Sequence, residues 1–310
     1  MKVAIVNLGQ IISGDWRAPF AAGDTIISEG DRITLVGTAA AAAVESADVV
    51  IDAGGMTAIP GLIDSHVHIT FGDYTPRQRT VGYLESYLHG GITTAISASE
   101  VHVPGRPSDP EGIKALALAA QRCFATYRPA GMRVIAGSVI LEPGLQACDF
   151  TELAELGVTL AKAGFGAVKT AYDYVPLVRE AKAAGLITTC HTGGSSIPGS
   201  GAITGDHLLA MHPHVSFHIN GGPTAMPDSD FERVIKESDI ALQVCTAQPA
   251  HHAFVRAARR GTRRLRPLHH GDRHADRFGR HAARPAVHDR ALCEPDPHGA
   301  GAFRLRGDRQ

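Results

Sequence analysis

The stretch Ile59-Pro60-Gly61-Leu62-Ile63-Asp64-Ser65-His66-Val67-His68 decides how the rest of the chain is interpreted. It is an apolar run that ends in two histidines one residue apart. Residues i and i+2 of a β-strand point to the same face, so His66 and His68 are expected to project together. Two imidazoles placed in this way suit one metal ion. A chain with 17 histidines can hold such a pair by chance, but the buried-looking strand and the Pro-Gly before it favour the metal site.

Length and composition fit a globular protein with one large α/β domain or two smaller ones, at 310 residues and 44% hydrophobic content. The net charge of -1 gives no reason to expect nucleic acid or an anionic membrane as a partner. No apolar run approaches the roughly 18 residues of a membrane span. The five cysteines are odd in number and widely spaced, which fits a reducing, cytoplasmic location.

Three regions with different patterns follow one another along the chain. Residues 1–57 contain short apolar strands separated by turn signals, which predicts a small and incomplete β-sandwich subdomain. Residues 58–246 carry seven β units in succession with helices between them. This pattern predicts a parallel sheet and favours a (β/α)₈ TIM-type barrel whose eighth strand is missing. Residues 247–310 are rich in arginine and histidine and are predicted to form a tail that does not belong to the fold.

The histidines of the barrel region are not scattered. Active sites of such barrels lie at the C-terminal ends of the strands. His66 and His68 end the first predicted strand, His191 ends the fifth and His218 ends the sixth. Imidazole suits zinc, iron and similar divalent ions, so the pattern predicts a metal centre built from these four side chains.

The fourth predicted strand ends in Lys162 where a ligand able to bridge two metal ions is expected. A protonated lysine cannot bind a metal ion. A neutral, desolvated lysine can react with carbon dioxide to give a carbamate, whose two oxygens can bridge two cations, and burial lowers the pKa of lysine. We therefore predict a carboxylated Lys162, with Lys169 as the alternative. The alternative without a functional role is a solvated lysine on the barrel rim.

Two metal ions a few ångströms apart can hold a hydroxide near neutral pH and polarise a carbonyl, which suits hydrolysis of a cyclic amide. Substrate contacts are predicted from loops at the same end of the barrel. His102 and Arg106 follow the second strand, and Arg106 is either a carboxylate-binding or an ordinary surface arginine. Thr192, Gly193 and Asn220 begin glycine-rich loops, which either present N–H groups to a substrate oxygen or are simply tight turns.

With these residues in place, the chain resembles the amidohydrolase superfamily, and within it the enamidases. The resemblance covers roughly residues 58–246 and is carried by the opening stretch and by residues 72–78, 104–107, 128–131, 191–200 and 218–224. It implies two divalent metal ions, Zn or Fe, held by the four histidines, and hydrolysis of a cyclic enamide such as a partly reduced 6-oxonicotinate. It also implies homo-oligomers among intact relatives. Lys162 departs from the glutamate of enamidases and matches other branches that use a carboxylated lysine.

The tail departs from the family completely. It holds 14 arginines, no lysine and 8 of the 17 histidines, and it shows neither the metal-binding, proton-shuttling aspartate of the eighth strand nor the strands that complete the β-sandwich. Codons for residues 273–285, read one base later, can encode Asp-Thr-Pro-Thr-Gly-Ser-Gly-Val-Met-Pro-Leu-Gly, which resembles the eighth strand of enamidases. We therefore predict a frameshift shortly after Thr246. A nucleic-acid-binding or metal-binding tail is the less favoured explanation.

Three functions remain open from the sequence. The first is a metal-dependent hydrolase of a cyclic amide or enamide C–N bond, acting through a metal-bridging hydroxide and impaired in this chain. The second is an inactive, truncated barrel that only binds metal. The third is a cyclic amidase of the dihydroorotase or hydantoinase type. In each case the expected partner is a small molecule, with no nucleic acid and no membrane.

Overall fold

A computed structural model describes residues 1–68, 77–99, 105–128, 131–195, 200–219 and 226–243, with side chains left out of account for residues 77–81. The chain divides into two compact units, Met1–Leu62 and the residues from Ile63 onward. The predicted tail, residues 247–310, lies outside the described residues. Among the helices that are described, none has both the length and the apolar character needed to cross a membrane.

The first unit consists of two small sheets and one short helix. One sheet has the strand order β5-β4-β1-β6, in which β1 runs antiparallel to β4 and parallel to β6. The other has the order β3-β2-β7. The elements are β1 (Lys2–Val6), β2 (Gln10–Ile12), β3 (Phe20–Ala21), β4 (Thr25–Glu29), β5 (Arg32–Gly37), α1 (Ala41–Glu45), β6 (Val49–Asp52) and β7 (Thr57–Ala58). The predicted short strands are therefore present, and their packing as a sandwich stays a prediction.

The second unit alternates strand and helix, as predicted. Its strands are β8 (Leu62–Val67), β9 (Ile92–Ser97), β10 (Arg133–Ile135), β11 (Ser138–Ile140), β12 (Leu160–Ala163), β13 (Ile187–Cys190), β14 (Val215–Ser216) and β15 (Ala241–Leu242). The helices between them are α2 (Arg77–His89), α3 (Pro110–Ala125), α4 (Ala147–Glu155), α5 (Tyr174–Ala183), α6 (Gly205–Met211) and α7 (Asp228–Glu237).

The strands of this unit form parallel sheets in chain order, which confirms the α/β class. One sheet has the order β10-β9-β8, and the other runs from β11 through β15 in sequence. Every strand pair of recorded register in these two sheets is parallel. Within the described ranges the two sheets do not join into a closed barrel, so closure remains a prediction.

The third predicted strand, residues 132–141, is in fact two strands, β10 and β11, so this prediction is wrong. Gly137 lies between β10 and β11 with φ +93, a conformation that L side chains rarely adopt. A Cβ at Gly137 would also come within 2.7 Å of the Ala117 carbonyl oxygen on α3. The chain therefore changes direction where α3 packs closely against it, and β10 and β11 pair with different neighbours.

Helix α3 shows how local sequence sets these elements. The Asp109 side chain accepts a hydrogen bond from the Gly112 N–H at the N-terminus, and Pro110 occupies the first turn, where its missing N–H costs nothing. Ile113, Ala117 and Phe124 are buried along one face. They recur at helical spacing and pack the helix toward the sheet. The core that α3 joins extends through α4 to α7 and holds the strand ends in place.

Candidate metal centre

The four predicted histidines lie at or just beyond the C-terminal ends of three strands. His66 is the fifth residue of β8 and His68 follows its end, His191 follows β13, and His218 lies two residues after β14. Lys162 is the third of the four residues of β12, and the strand continues for one residue beyond it. The prediction that Lys162 ends its strand is therefore wrong. Parallel strands bring their C-terminal ends to one edge, and this is what gathers the five side chains.

His66 and His68 form the first pair. Their Nε2 atoms are 3.2 Å apart, as expected for alternate residues on one face of a strand. Nδ1 of His66 lies 3.0 Å from Oε1 of Gln243, and Nδ1 of His68 lies 3.3 Å from Oγ of Ser99. The two outward nitrogens are thus occupied by protein groups, and the two Nε2 atoms face each other.

His191 and His218 form the second pair. Nδ1 of His191 lies 3.2 Å from Nε2 of His218. Nε2 of His191 lies 2.7 Å from the carbonyl oxygen of Gly194. A carbonyl can only accept a hydrogen bond, so Nε2 of His191 carries the proton and Nδ1 keeps a lone pair directed at His218.

The two pairs are neighbours. The rings of His66 and His218 stack with their centroids 5.5 Å apart. Among the described residues, no group of three or more His, Cys, Asp or Glu side chains has the arrangement of a single metal site. The histidines are therefore arranged as two adjacent pairs and not as one cluster around a common point.

Burial keeps two of these imidazoles, those of His66 and His218, neutral. It lowers the pKa of His66 well below its usual value, and the neighbouring Lys162, His68 and His218 lower it further. The pKa of His218 falls to about 3 for the same first reason, with His191 and Lys162 adding to the effect. A neutral imidazole is the form that binds a metal ion, so the environment favours the ligand state.

Lys162 is completely buried. Its Nζ has no hydrogen-bond partner among the residues described and lies 4.0 Å from the centroid of the Phe217 ring. Burial is the first cause that lowers the pKa of Lys162 to about 7. The alternative candidate, Lys169, is exposed to solvent. Of the two candidates, Lys162 is therefore the one with a desolvated amine whose lowered pKa favours the neutral form that carbamate formation requires.

Arg106 binds another protein group. Its guanidinium forms a buried ion pair with Glu142, and Nη2 also donates to the carbonyl oxygen of Phe165 over 2.6 Å. Glu142 accepts a further hydrogen bond from the N–H of Ala167. The pair thus holds the segment that follows β12 and Lys162. In this arrangement Arg106 is not the ordinary surface arginine that was one alternative, and its role toward a substrate carboxylate stays a prediction.

Only some of the residues predicted to contact substrate from loops are among those that the structure describes. Thr192 is buried, and its hydroxyl lies 2.6 Å from Oγ of Ser216. The N–H of Gly193 donates to the carbonyl oxygen of Ile203 over 2.9 Å in an isolated β-bridge. That N–H is therefore bound within the protein, and a substrate contact by Thr192 or Gly193 stays a prediction. His102 and Asn220 lie outside the described residues.

The segment after β12 is tightly packed against the second histidine pair. Gly164 has φ +110, and a Cβ there would lie 2.6 Å from Cβ of His191. Only glycine fits this approach, since both the conformation and the space exclude a side chain. The same glycine therefore sets the path of the chain beyond Lys162 and the position of His191.

Sequence reasoning missed Gln243, Glu142 and Ser99. Gln243 directly follows β15, and Glu142 and Ser99 each lie two residues after the end of a strand, β11 and β9 respectively. The predicted ligands occupy similar positions relative to their strands. That position was the available signal. Amide, hydroxyl and paired carboxylate groups are nevertheless too common at strand ends to be selected without the contacts that the fold creates.

Comparisons with known proteins define the class. Residues 57–201 match the model of the amidohydrolase family. The chain is 42% identical over 264 residues to enamidase of Eubacterium barkeri, a match that covers 84% of this chain and 68% of that enzyme. The chain belongs to the amidohydrolase superfamily and is an enzyme that acts on C–N bonds.

The similarity to enamidase extends to its crystal structure, with a TM-score of 0.75 over 84% of this chain and 69% of that one. Imidazolonepropionase of Arthrobacter sp. (strain FB24) is 34% identical over 100 residues, which is 32% of this chain and 24% of that enzyme. Molinate hydrolase shares the fold, with a TM-score of 0.52 at 16% identity over 84% of this chain and 71% of the other. The enamidase match supports hydrolysis of a cyclic amide or enamide C–N bond.

Proposed function

We propose that this amidohydrolase binds two divalent metal ions, Zn or Fe, and hydrolyses the C–N bond of a cyclic amide or enamide. The observation that carries the proposal is the buried Lys162 amine without a hydrogen-bond partner among the described residues, next to two pairs of imidazoles. Its charge is close enough to lower the pKa of both His66 and His218. A group of this kind is costly to keep unless it serves the site.

The spacing of each histidine pair fits one metal ion. Two nitrogens bound to a tetrahedral zinc at about 2.05 Å are roughly 3.3 Å apart. The nitrogens of the pair His66 and His68 are 3.2 Å apart, as are those of His191 and His218. Each pair would supply two ligands to one ion, and the two ions would share a further ligand.

Lys162 would supply that shared ligand as a carbamate. The lone pair of the neutral Nζ attacks the carbon of carbon dioxide; as the N–C bond forms, the electron pair of one C=O π bond moves onto oxygen and one N–H proton leaves to solvent. A pKa of about 7 leaves a large fraction of the amine free to react near neutral pH. The product carries two oxygens that can bind one ion each, which a lysine or a single imidazole cannot do.

When bound, two metal ions at such a site supply hydroxide near neutral pH and polarise the amide carbonyl. The chain itself holds His66 and His218 neutral, fixes the lone pair of His191 through the Gly194 carbonyl, and keeps bulk water from Lys162. Hydrolysis also needs a proton at the leaving nitrogen. The family resemblance implies an aspartate at the end of the eighth barrel strand for this step, and the sequence of the tail shows no such aspartate in the expected motif.

The metal proposal is tested by metal analysis of the purified 310-residue chain. We expect two metal ions per chain, with binding that strengthens when bicarbonate is added. Lys162→Ala should lose this bicarbonate dependence and most of the second ion, whereas the exposed control Lys169→Ala should retain both. Wild-type protein that binds no divalent metal, or a Lys162→Ala variant that binds as wild type does, would overturn the site.

The substrate class is tested separately with a partly reduced 6-oxonicotinate, simple lactams, hydantoin and dihydroorotate. Cleavage of the enamide in preference to hydantoin and dihydroorotate supports the enamidase-type reaction. The reverse preference supports the dihydroorotase or hydantoinase alternative. The similarity to enamidase over 84% of this chain favours the first outcome.

We further propose that turnover by this chain is impaired, because the composition changes sharply after Thr246, with 14 arginines and no lysine beyond it. The test compares the 310-residue chain with a chain whose reading frame is restored after Thr246. We expect both to bind metal and only the restored chain to turn over rapidly. Equal turnover would refute the impairment. Metal-loaded but inactive proteins in both cases would instead refute the cyclic amide reaction. Resequencing the locus tests the frameshift directly.

A further inference from the structure

Gln243, the residue after β15, makes three hydrogen bonds with its side-chain amide. Oε1 lies 3.0 Å from Nδ1 of His66 and 3.3 Å from the backbone nitrogen of His218. Nε2 donates to Oγ of Ser65 over 3.2 Å. One side chain thus contacts both histidine pairs and links β15 to β8, which is 177 residues away in sequence.

These contacts determine which nitrogen of His66 carries its proton. The backbone N–H of His218 can only donate, so the amide atom facing it must be the oxygen. The same oxygen faces Nδ1 of His66, and an oxygen of this kind can only accept. Nδ1 of His66 therefore carries the proton, and Nε2 is left with a lone pair that points toward Nε2 of His68, 3.2 Å away.

We infer that Gln243 is a positioning residue that holds His66 in its Nδ1–H tautomer and thereby presents Nε2 of His66 to a metal ion. The Phe217 ring stacks on the imidazole at 4.0 Å between centroids, which fixes the plane of the ring but not its proton. An exchange of Oε1 and Nε2 would place an N–H donor against the backbone N–H of His218, so that contact keeps the oxygen in place, and Ser65 restrains the amide from the other side.

Gln243 has a counterpart in the second pair. There the Gly194 carbonyl fixes the tautomer of His191 and leaves Nδ1 with the lone pair. The backbone performs this task for His191 and a side chain performs it for His66. Groups that bind the far nitrogen of a metal-binding histidine typically change metal affinity 10–100-fold when they are removed. Only the side chain can be removed by mutation, which makes Gln243 the testable member.

The inference rests on the proposed function only where it assigns His66 to a metal, so the first experiment avoids metal. Nitrogen-15 spectra of the metal-free, histidine-labelled chain near pH 8 report the tautomer of His66, with His66→Gln used to assign the signal. We expect the Nδ1–H form in wild type and a mixture or the Nε2–H form in Gln243→Met. Wild-type protein in the Nε2–H form overturns the inference even if the Gln243→Met variant does not fold.

The second experiment measures zinc affinity by competition with a chromogenic chelator. We expect Gln243→Met to bind zinc about 10–100-fold more weakly and Gln243→Glu to bind within about threefold of wild type, because a carboxylate also accepts from Nδ1–H. Ser65→Ala, which removes only the Nε2 contact, is the matched control and should change affinity by less than about threefold.

The two experiments separate the inference from the proposed function. A tautomer change in Gln243→Met together with a wild type that binds no zinc supports the positioning role and overturns the metal site. An unchanged tautomer in Gln243→Met overturns the positioning role whatever the zinc affinity. An equal loss of affinity in Ser65→Ala and Gln243→Met indicates a merely structural link between β8 and β15 and also overturns it.

Discussion

Replacing Lys162 with methionine should stabilise the metal-free protein while removing the bridging ligand of the proposed metal centre. The lysine is completely buried, with a pKa of about 7 in the folded chain, against 10.5 for an ordinary lysine. Between these values the unfolded chain binds a proton that the folded chain does not bind. The free energy of unfolding therefore rises with pH across this window, and the full penalty of burial applies below about pH 7.

The size of the effect follows from the same two pKa values. Each pH unit in the window is worth about 1.4 kcal/mol, so the penalty at pH 7 is on the order of 5 kcal/mol relative to pH 10.5. Methionine has a similar shape and no charge to desolvate. We expect Lys162→Met to be more stable than wild type at pH 7 by several kcal/mol, and this advantage to shrink by about 1.4 kcal/mol per pH unit up to pH 10.

The assay is urea unfolding of the metal-free proteins between pH 7 and pH 10, in buffers free of carbon dioxide so that no carbamate forms. Burial raises the pKa of Cys190 to about 12, so this thiol lowers the stability of both proteins above about pH 9 and cancels in the difference between them. The exposed Lys169→Met is the matched control and should show no pH-dependent difference from wild type. A difference between wild type and Lys162→Met that stays constant with pH would refute the reasoning.

Two further predictions concern the packing around the site. Arg106→Leu leaves Glu142 buried and unpaired and should lower the free energy of unfolding by about 3–5 kcal/mol in urea titrations. The exposed control Arg233→Leu should cost much less in the same titrations, because water screens its ion pairs. Equal losses in the two variants would contradict the buried pair. Gly164→Ala should cost at least about 2 kcal/mol and weaken metal binding, because the added methyl group would lie 2.6 Å from Cβ of His191. The control Gly54→Ala also has a positive φ but open space, and should cost about 1–2 kcal/mol with unchanged metal binding. Unaltered metal binding in Gly164→Ala would show that the segment adapts.

The sequence could predict which residues meet, because two simple rules combine. Alternation along a strand places His66 and His68 on one face, and parallel strands bring their C-terminal ends to one edge. His191 and His218 are separated from the first pair by more than a hundred residues, yet they obey the second rule. No contact needs to be known for this prediction. It requires only that the strands run in parallel, which the alternation of strands and helices already indicates.

The partners of these residues could not be predicted in the same way. Gln243 is identified only by the three groups that surround its amide, and they come from two distant parts of the chain. The division of the third strand at Gly137 depends on how closely α3 approaches, since glycine alone does not distinguish a break from an ordinary strand residue. Such features arise from packing, and packing follows the sequence only through the complete fold.

The buried pair of Arg106 and Glu142 contrasts with the buried Lys162, and the contrast supports the role proposed for the lysine. Glu142 and Arg106 neutralise each other, and their remaining hydrogen bonds go to the backbone, so their burial is compensated within the protein. The amine of Lys162 has no such partner among the described residues, although it is no less buried. This uncompensated amine is the reason for proposing that Lys162 serves a group bound from outside. The lowered pKa of Lys162 and the expected pH dependence of stability both follow from its burial without a compensating partner among the described residues.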